Sequence, residues 1–305
     1  MSDHSELALI DWIRQRATAS PNLRLGIGDD CAIWQPGDAQ LLFTTDVLME
    51  DVDFRVAETT PQLIGRKSLA VNLSDIAAMA GRPRAALVGL VLPKSRGFDF
   101  ARDLSEGLRS LADEFQVAII GGDTNTWDGP LVISVTLIGE ATERGAVRRS
   151  GAKPGDWLFV TGPLGGSIRG HHLTFTPRVR EALELHRLAD LHAMIDLSDG
   201  LAADLFHLLD ESQVGATLVS DAIPISDDAR RMNDGRAPLE HALSDGEDFE
   251  LLFTVSPEDG ARLLSITGFE ATTHIGTIDA EPGCRIQRPN GDIEQLARGG
   301  WEHQF

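Results

Sequence analysis

The sequence predicts a two-domain chain in which both halves mix helices and strands. Three observations carry that expectation. The chain has 305 residues, about twice the usual domain of roughly 100–200 residues. Hydrophobic residues are 42% and charged residues 24%, ordinary globular usage that excludes a disordered chain. Apolar periodicity switches between the helical and the extended pattern along the whole length. A turn-rich segment, GAKPGD at 151–156, follows the first set of elements, and the boundary is expected at 148/149, giving domains 1–148 and 149–305.

In order, Leu7, Ile10, Ile13 and Ala17 recur near a 3.6 period and predict a helix over 5–17. Residues 41–45 form a short apolar run that ends at Asp46, a strand. Thr60-Pro61 is an N-cap followed by proline at the first helical position, opening a helix over 61–80. Leu63, Lys67, Ala70, Ser74 and Ala77 share one face of it, and Gly81-Arg82-Pro83 stops it. A buried strand over 84–92, a helix over 98–115, a strand over 117–120 ending in Gly121-Gly122-Asp123, and an alternating strand over 131–140 complete the first half. The second half reads as strand 157–161, helix 178–190, strand 194–196, helix 200–211, strand 215–220, helix 238–244, strand 249–255, helix 257–265, and strands near 272–278 and 284–288.

No apolar run is long enough to span a bilayer, and the N-terminus shows no basic segment followed by an apolar one, so no signal peptide is expected. Cys31 and Cys284, without CxxC spacing, argue against a zinc site or a disulfide scaffold and fit a reducing cytoplasm. Cys31 reads as a small buried filler and His171-His172 as a solvated loop. The formal net charge is −20, from 29 Asp and 18 Glu against 24 Arg and 3 Lys. Such a surface repels phosphates, so binding of nucleic acid by charge is not expected. The acidity has two readings: plain solubility, or aspartates gathered around cations.

Six acidic corners bear on that choice: Asp29-Asp30, Asp46, Asp75, Asp123, Asp196 with Asp199, and Asp245 to Asp248. Any one beside a glycine reads as a turn. Asp75 differs, because it sits within a helix among Ala, Leu, Ile and Met. A buried carboxylate needs a cation or an N–H donor; an exposed polar face or an internal cap is the other reading. Dispersed aspartates suit Mg²⁺ shared with substrate phosphates, whereas a contiguous calcium loop, a GxxxxGK[ST] P-loop, a kinase HRD and DFG pair and a GxSxG elbow are all missing from the sequence. The glycine loop 162–167 reads either as a linker or as a phosphate-facing turn.

Taken in order, GIGDDCA (26–32), TTDVL (44–48), LAVNLSDIAAMAG (69–81), GGDT (121–124), RSGAKPGDWLFVTG (149–162), IDLSDGLAADL (195–205) and GEDFELLF (246–253) resemble the thiamine-monophosphate kinase family of the aminoimidazole-ribonucleotide-synthetase-like ATP-binding superfamily. The resemblance implies an N-terminal α/β domain for ATP, Mg²⁺ and dimerisation, then a C-terminal α+β domain that completes the site. It implies phosphoryl transfer from ATP to thiamine phosphate by a cytoplasmic homodimer. By motif, it assigns metal contacts to Asp30, Thr44, Thr45, Asp46, Asp75, Asp123, Asp196 and Asp199. It assigns ATP contacts to Gly121, Gly122, Arg149 and Ser198, and substrate contacts to Glu247 and Trp301.

Three features depart from the family pattern. Asp53 stands where a substrate-contacting histidine is usual, Asp245 replaces a glycine, and the segment between Gly162 and the HLTFTPR stretch (172–178) is short. They bear on the acceptor more than on the donor. No aspartate stands out as a general base, and none is required, since the acceptor phosphate is already ionised. Another ATP-dependent member of the superfamily and a non-catalytic binding paralogue are the competing readings.

Overall fold

The computed structural model describes residues 10, 13–16, 20–268 and 271–301; the helix expected over 5–17 lies largely outside the described residues. Both halves are built on mixed sheets, as expected. The first sheet has β1 (Leu23–Leu25), β2 (Ala32–Trp34), β3 (Leu41–Met49), β4 (Arg82–Pro93), β5 (Ala118–Trp127) and β6 (Val132–Glu140) in the order β1-β2-β3-β6-β4-β5. Neighbours are antiparallel except β4 with β5. The second sheet has β7 (Trp157–Val160), β8 (Ala193–Asp196), β9 (Gly215–Val219), β10 (Leu251–Val255), β11 (Thr273–Asp279), β12 (Gly283–Gln287) and β13 (Ile293–Gln295). Its order is β13-β12-β9-β11-β7-β10-β8, with only β12 and β9 parallel.

Helix α1 (Pro61–Ala78) joins the halves. The Thr60 side chain caps it by accepting from Leu63 N at 3.3 Å, and Pro61 loses no hydrogen bond in the first turn. Nearly the whole of α1 is buried, Ile64, Leu69, Leu73 and Ile76 completely. One core runs from these residues through Ile133 and Val135 of β6 to Phe159, Met194 and Phe253 of the second sheet. Edge strand β8 is buried throughout because α1 covers it. A second core lies on the other face of that sheet under α4 (Leu201–Ser212), with α3 (Val179–Leu188) between these helices in the chain.

Three boundary expectations change. β3 does not end at Asp46: its ladder with β6 runs from Leu41↔Glu140 to Met49↔Val132, so Asp46 sits mid-strand opposite Val135. β5 does not end at Gly121-Gly122-Asp123 but passes through them to Trp127, paired with β4. Gly122 permits the close approach, because a Cβ there would meet the Val88 carbonyl oxygen at 1.9 Å. The 84–92 strand is not buried on both faces: β4 begins at Arg82, and Leu87 is 41% exposed on the face away from α1. Short β1, β2 and β13 and helix α5 (Asp227–Arg231) carry too few residues for a period to show.

The remaining helices are α2 (Gly97–Glu114), α6 (Pro238–Ser244) and α7 (Pro257–Leu263). α2 lies against α1 at backbone contact. A Cβ on Gly107 would fall 1.9 Å from the Gln62 carbonyl oxygen, and one on Gly65 1.9 Å from that of Leu104. Backbone cannot step aside as a side chain does, so Gly107→Ala is expected to destabilise the protein by about 2 kcal/mol or more. A thermal melt checks this; an unchanged midpoint would mean that the helices separate without cost.

Candidate active site

Three elements deliver carboxylates to one point on the seam between the sheets. Asp30 comes from the β1–β2 connection, Asp75 from the buried side of α1, and Asp196 from the last residue of β8. Their oxygens lie within 4.8 Å of one another. Arg149 forks onto Asp30, Nε to Oδ2 at 3.1 Å and Nη2 to Oδ1 at 3.0 Å. Ser74 Oγ donates to Asp196 Oδ2 at 2.6 Å, and Thr44 Oγ1 donates to Asp75 Oδ2. The Arg149 backbone N–H donates to Asp29 Oδ2 at 3.1 Å.

Burial and mutual repulsion set the electrostatics. Desolvation, then Asp46, Asp196 and Asp30, hold the Asp75 carboxyl well above its ordinary range. Desolvation and Asp30 do the same to Asp196. Asp46 is pushed up to about 6, by desolvation first and Asp53 second, with the Asp75 hydrogen bond opposing. Asp29 is pushed up to about 7 by desolvation and Asp30. Burial works against the charged Arg149 guanidinium, but Asp30 outweighs it and the net direction is up. Cys31 is buried beside the cluster, its thiol raised by burial and by Asp75, which agrees with a filler rather than a nucleophile.

The cluster fits a hard divalent cation. Its donors are all oxygen, three converge, and Asp46 Oδ2 is buried without a hydrogen-bond partner among the described residues.

Beside the cluster is a cavity of about 660 Å³ whose lining includes Asp46, Asp53, Lys67, Ser198, Glu247 and Trp301. Asp199 also lines it, and its backbone oxygen accepts from Trp301 N at 3.0 Å. Asp199 N donates at 3.0 Å to the buried Asp204 carboxylate. Glu247 is held in the left-handed region at φ 64°, with its N–H donating to Ser198 O at 2.7 Å. For a residue with a Cβ that conformation carries strain and persists only where its surroundings fix it. Asp53 Oδ2 accepts from Met49 N at 2.7 Å, so one oxygen of this carboxylate closes its own turn.

The structure thus brings Asp30, Asp75, Asp196, Thr44 and Arg149 into one cluster, and Asp46, Asp53, Ser198, Asp199, Glu247 and Trp301 around the adjoining cavity. It does not bring in the rest. Thr45 turns to the opposite face, its Oγ1 against Val135 O and Thr136 Oγ1. Gly121, Gly122 and Asp123 lie on edge strand β5, three strands from β3, roughly 14 Å at the usual strand spacing. The ladders align Asp123 with Gly89, Ser134 and Val47, on the face away from Asp46.

One loop reading is narrowed and one is corrected. The 162–167 glycine loop does not offer all its amides to a phosphate: Gly165 N donates to Asp248 Oδ1 at 2.9 Å and Gly166 N to Asp245 Oδ2 at 3.0 Å. His171-His172 is not a solvated loop. The pair opens a helical turn, with His172 Nδ1 donating to Ser167 O at 2.8 Å and His171 Nε2 to Asp248 O at 3.1 Å. Asp245 and Asp248 take up the Gly166 and Gly165 amides, and the Asp248 carbonyl takes up His171. Sequence reading also missed Lys67 as a site residue. A lysine on the same helical face as Ala70 and Ala77 was the available signal, since lysine is rarely buried unless paired.

Residues 28–141 match AIR synthase related protein, N-terminal domain, and residues 153–288 match AIR synthase related protein, C-terminal domain. The two halves and the acidic seam therefore define an AIR synthase related protein. The chain is 41% identical over 309 residues to thiamine-monophosphate kinase of Rhodopirellula baltica, covering 98% of this chain and 97% of the relative. It is 35% identical to thiamine-monophosphate kinase of Escherichia coli (strain K12), covering 98% of each. The solved structure of AaThiL complexed with AMPPCP and TMP superposes with a TM-score of 0.85 at 31% identity, covering 98% of this chain and 97% of that one. This chain belongs to the thiamine-monophosphate kinase family.

The raised Asp46 carboxyl gives a signed expectation for metal-free protein. The unfolded chain loses this proton near pH 3.8 and the folded chain near 6. The contribution to stability is complete below about pH 4 and is lost as pH rises through 6. Asp46→Asn removes that loss. In EDTA it should gain about 1.4 kcal/mol on the native protein between pH 5 and pH 8, pH 5 being one unit below the folded value of about 6. Denaturant titrations at the two pH values measure it, and parallel stabilities would contradict it.

Proposed function

We propose that this chain is a magnesium-dependent thiamine-monophosphate kinase that moves the ATP γ-phosphoryl group to thiamine phosphate, giving thiamine diphosphate and ADP. The observation that carries the reading is the oxygen cluster of Asp30, Asp75 and Asp196 opening beside the Glu247 and Trp301 cavity at a single seam. A metal-held polyphosphate and a small organic phosphate would meet there. An oxygen of thiamine phosphate attacks the γ-phosphorus in line as the bond to the ADP oxygen breaks, without a phosphoenzyme. Asp30, Asp46, Asp75 and Asp196 are the residues to hold Mg²⁺, with Thr44 and Asp199 at the margin. When bound, Mg²⁺ supplies charge neutralisation to the phosphates of both substrates.

The protein's own residues supply position. Arg149 is placed for the polyphosphate, Ser198 for ATP, and Asp53, Glu247 and Trp301 for the thiamine part. A general base is unnecessary for an ionised acceptor. ADP formation that needs thiamine phosphate and Mg²⁺ together tests the reading. Asp75→Asn should lower kcat/KM by roughly 100-fold or more, the size of losing one preorganised electrostatic contact. ATP with Mg²⁺ should raise the melting temperature and ATP in EDTA should not. Equal stabilisation in both would remove the metal from the site.

We also place the protein in the cytoplasm as a homodimer. Both cysteines are buried and free, and no helix among the described residues is long and apolar enough to cross a membrane. Every residue of β5 is exposed, and Leu87, Val47, Ile120 and Trp127 are exposed on or beside the same sheet. An uncovered edge strand of this length invites a second copy. Gly121, Gly122, Asp123 and Thr45, remote from the cluster within one chain, would join a nucleotide site only across that contact. Ile120→Glu should therefore shift the mass in solution from dimer to monomer and weaken ATP binding together. A monomer with full ATP affinity would separate β5 from the site.

A further inference from the structure

Lys67 is completely buried, yet it borders the cavity. Its Nζ donates to Asp53 O at 2.6 Å and to Glu247 Oε1. The two acceptors belong to different halves of the chain. Asp53 lies in the turn after β3, and Glu247 lies in the loop before β10. The Glu247 backbone is already set by its left-handed φ and by Ser198 O, so the ammonium fixes the remaining freedom, that of the side chain. The Glu247 side chain is 31% exposed, whereas Lys67 is wholly covered.

Stability alone is a poor account of this pair. Burying an ammonium is costly, and an apolar side chain of similar volume would serve packing as well or better. Preorganising a carboxylate at a cavity wall is a different task, which an apolar residue cannot do. A fixed carboxylate suits the permanent positive charge of a thiazolium ring.

We propose that Lys67 is the positioning residue of the acceptor pocket, anchoring the Glu247 carboxylate to the Asp53 turn so that a cationic ring meets an anion already in place. This rests on the reading of thiamine phosphate as acceptor. Lys67 acts through Glu247 and touches no reacting atom.

The test is a double-mutant cycle on the full chain, with Lys67→Met, Glu247→Gln and the two combined, measured by ADP formation. Lys67→Met should raise KM for thiamine phosphate about tenfold or more while KM for ATP moves less than about twofold. The combined variant should be no worse than Glu247→Gln alone, because nothing is left for Lys67 to hold. Additive losses, or equal losses for both substrates, would reduce Lys67 to a structural strut between the halves and overturn the proposal. If Lys67→Met does not fold, Lys67→Gln, which keeps an N–H donor for Asp53 O, replaces it in the cycle with the same expected non-additivity. A native enzyme that binds and turns over no thiamine phosphate overturns the acceptor reading, and this proposal with it. A native enzyme that is active but shows an additive cycle overturns the Lys67 assignment alone.

Discussion

Three carboxyl groups with oxygens within 4.8 Å of one another are the constraint around which the molecule is arranged. At an effective dielectric near 20, two unit charges at that separation repel by about 3 kcal/mol. The fold meets that cost with the Arg149 fork on Asp30 and hydroxyl donors from Ser74 and Thr44, and the Asp75 and Asp196 carboxyls are held well above their ordinary range by burial and by their acidic neighbours. None of these donors is interchangeable in place. Ser74 and Asp75 are adjacent on α1, so the helix that presents one carboxylate also carries the donor for another. A one-residue slip of α1 would turn both away by about 100°. Burial of α1 between the two sheets removes that freedom, which is why the core and the site are one packing problem.

The cavity side is governed by the same helix, read two turns earlier. Lys67 lies eight residues before Asp75, about two turns along α1 and roughly 80° around it. One meets the GEDFE loop and the other the acidic cluster. That loop is strained at Glu247 and Phe249, both at positive φ. It is held by ties on each side: Glu247 N to Ser198 O, Phe249 N to Leu197 O, Ser167 Oγ to Gly246 O, and Asp248 onto Gly165 N. Carboxylates there do local work that a glycine loop facing phosphate would have left undone. Asp245 shows the same economy. Its oxygens accept from Gly166 N, from Arg236 Nη1 at 2.9 Å and from His241 Nδ1 at 2.8 Å.

Much of this was legible in the sequence for identifiable reasons. Asp75 stood out because it is a carboxylate among Ala, Leu and Ile on a capped helix, with an exposed polar face as a competing reading that burial of α1 then removed. The alternation of β6 was readable because one face is buried and the other is not. The reach of β3 and β5 was not readable, since Asp46 and Gly121-Gly122 look like strand ends. What keeps them extended is the neighbouring ladder, a non-local term that no window of sequence contains. The fates of Gly165 and His171 were hidden for the same reason: their shared partner, Asp248, lies 83 and 77 residues away.

The net charge of −20 divides into two physical classes. On the surface, many carboxylates have an arginine three or four residues away, as in Glu106 and Asp113 around Arg109 or Glu184 beside Arg187. Such exposed pairs contribute little to stability, and their meaning is solubility. In the seam, Arg149 forks onto Asp30 and its charge also acts on Asp29 and Asp196, while Asp46 and Asp75 are crowded by further carboxyl groups. An anionic pocket repels an anionic nucleotide and an anionic acceptor alike. Binding either one requires positive charge that the chain does not itself provide in sufficient number. An acidic wall is therefore intelligible as one half of a charge balance. The Mg²⁺ ions proposed above would form the other half.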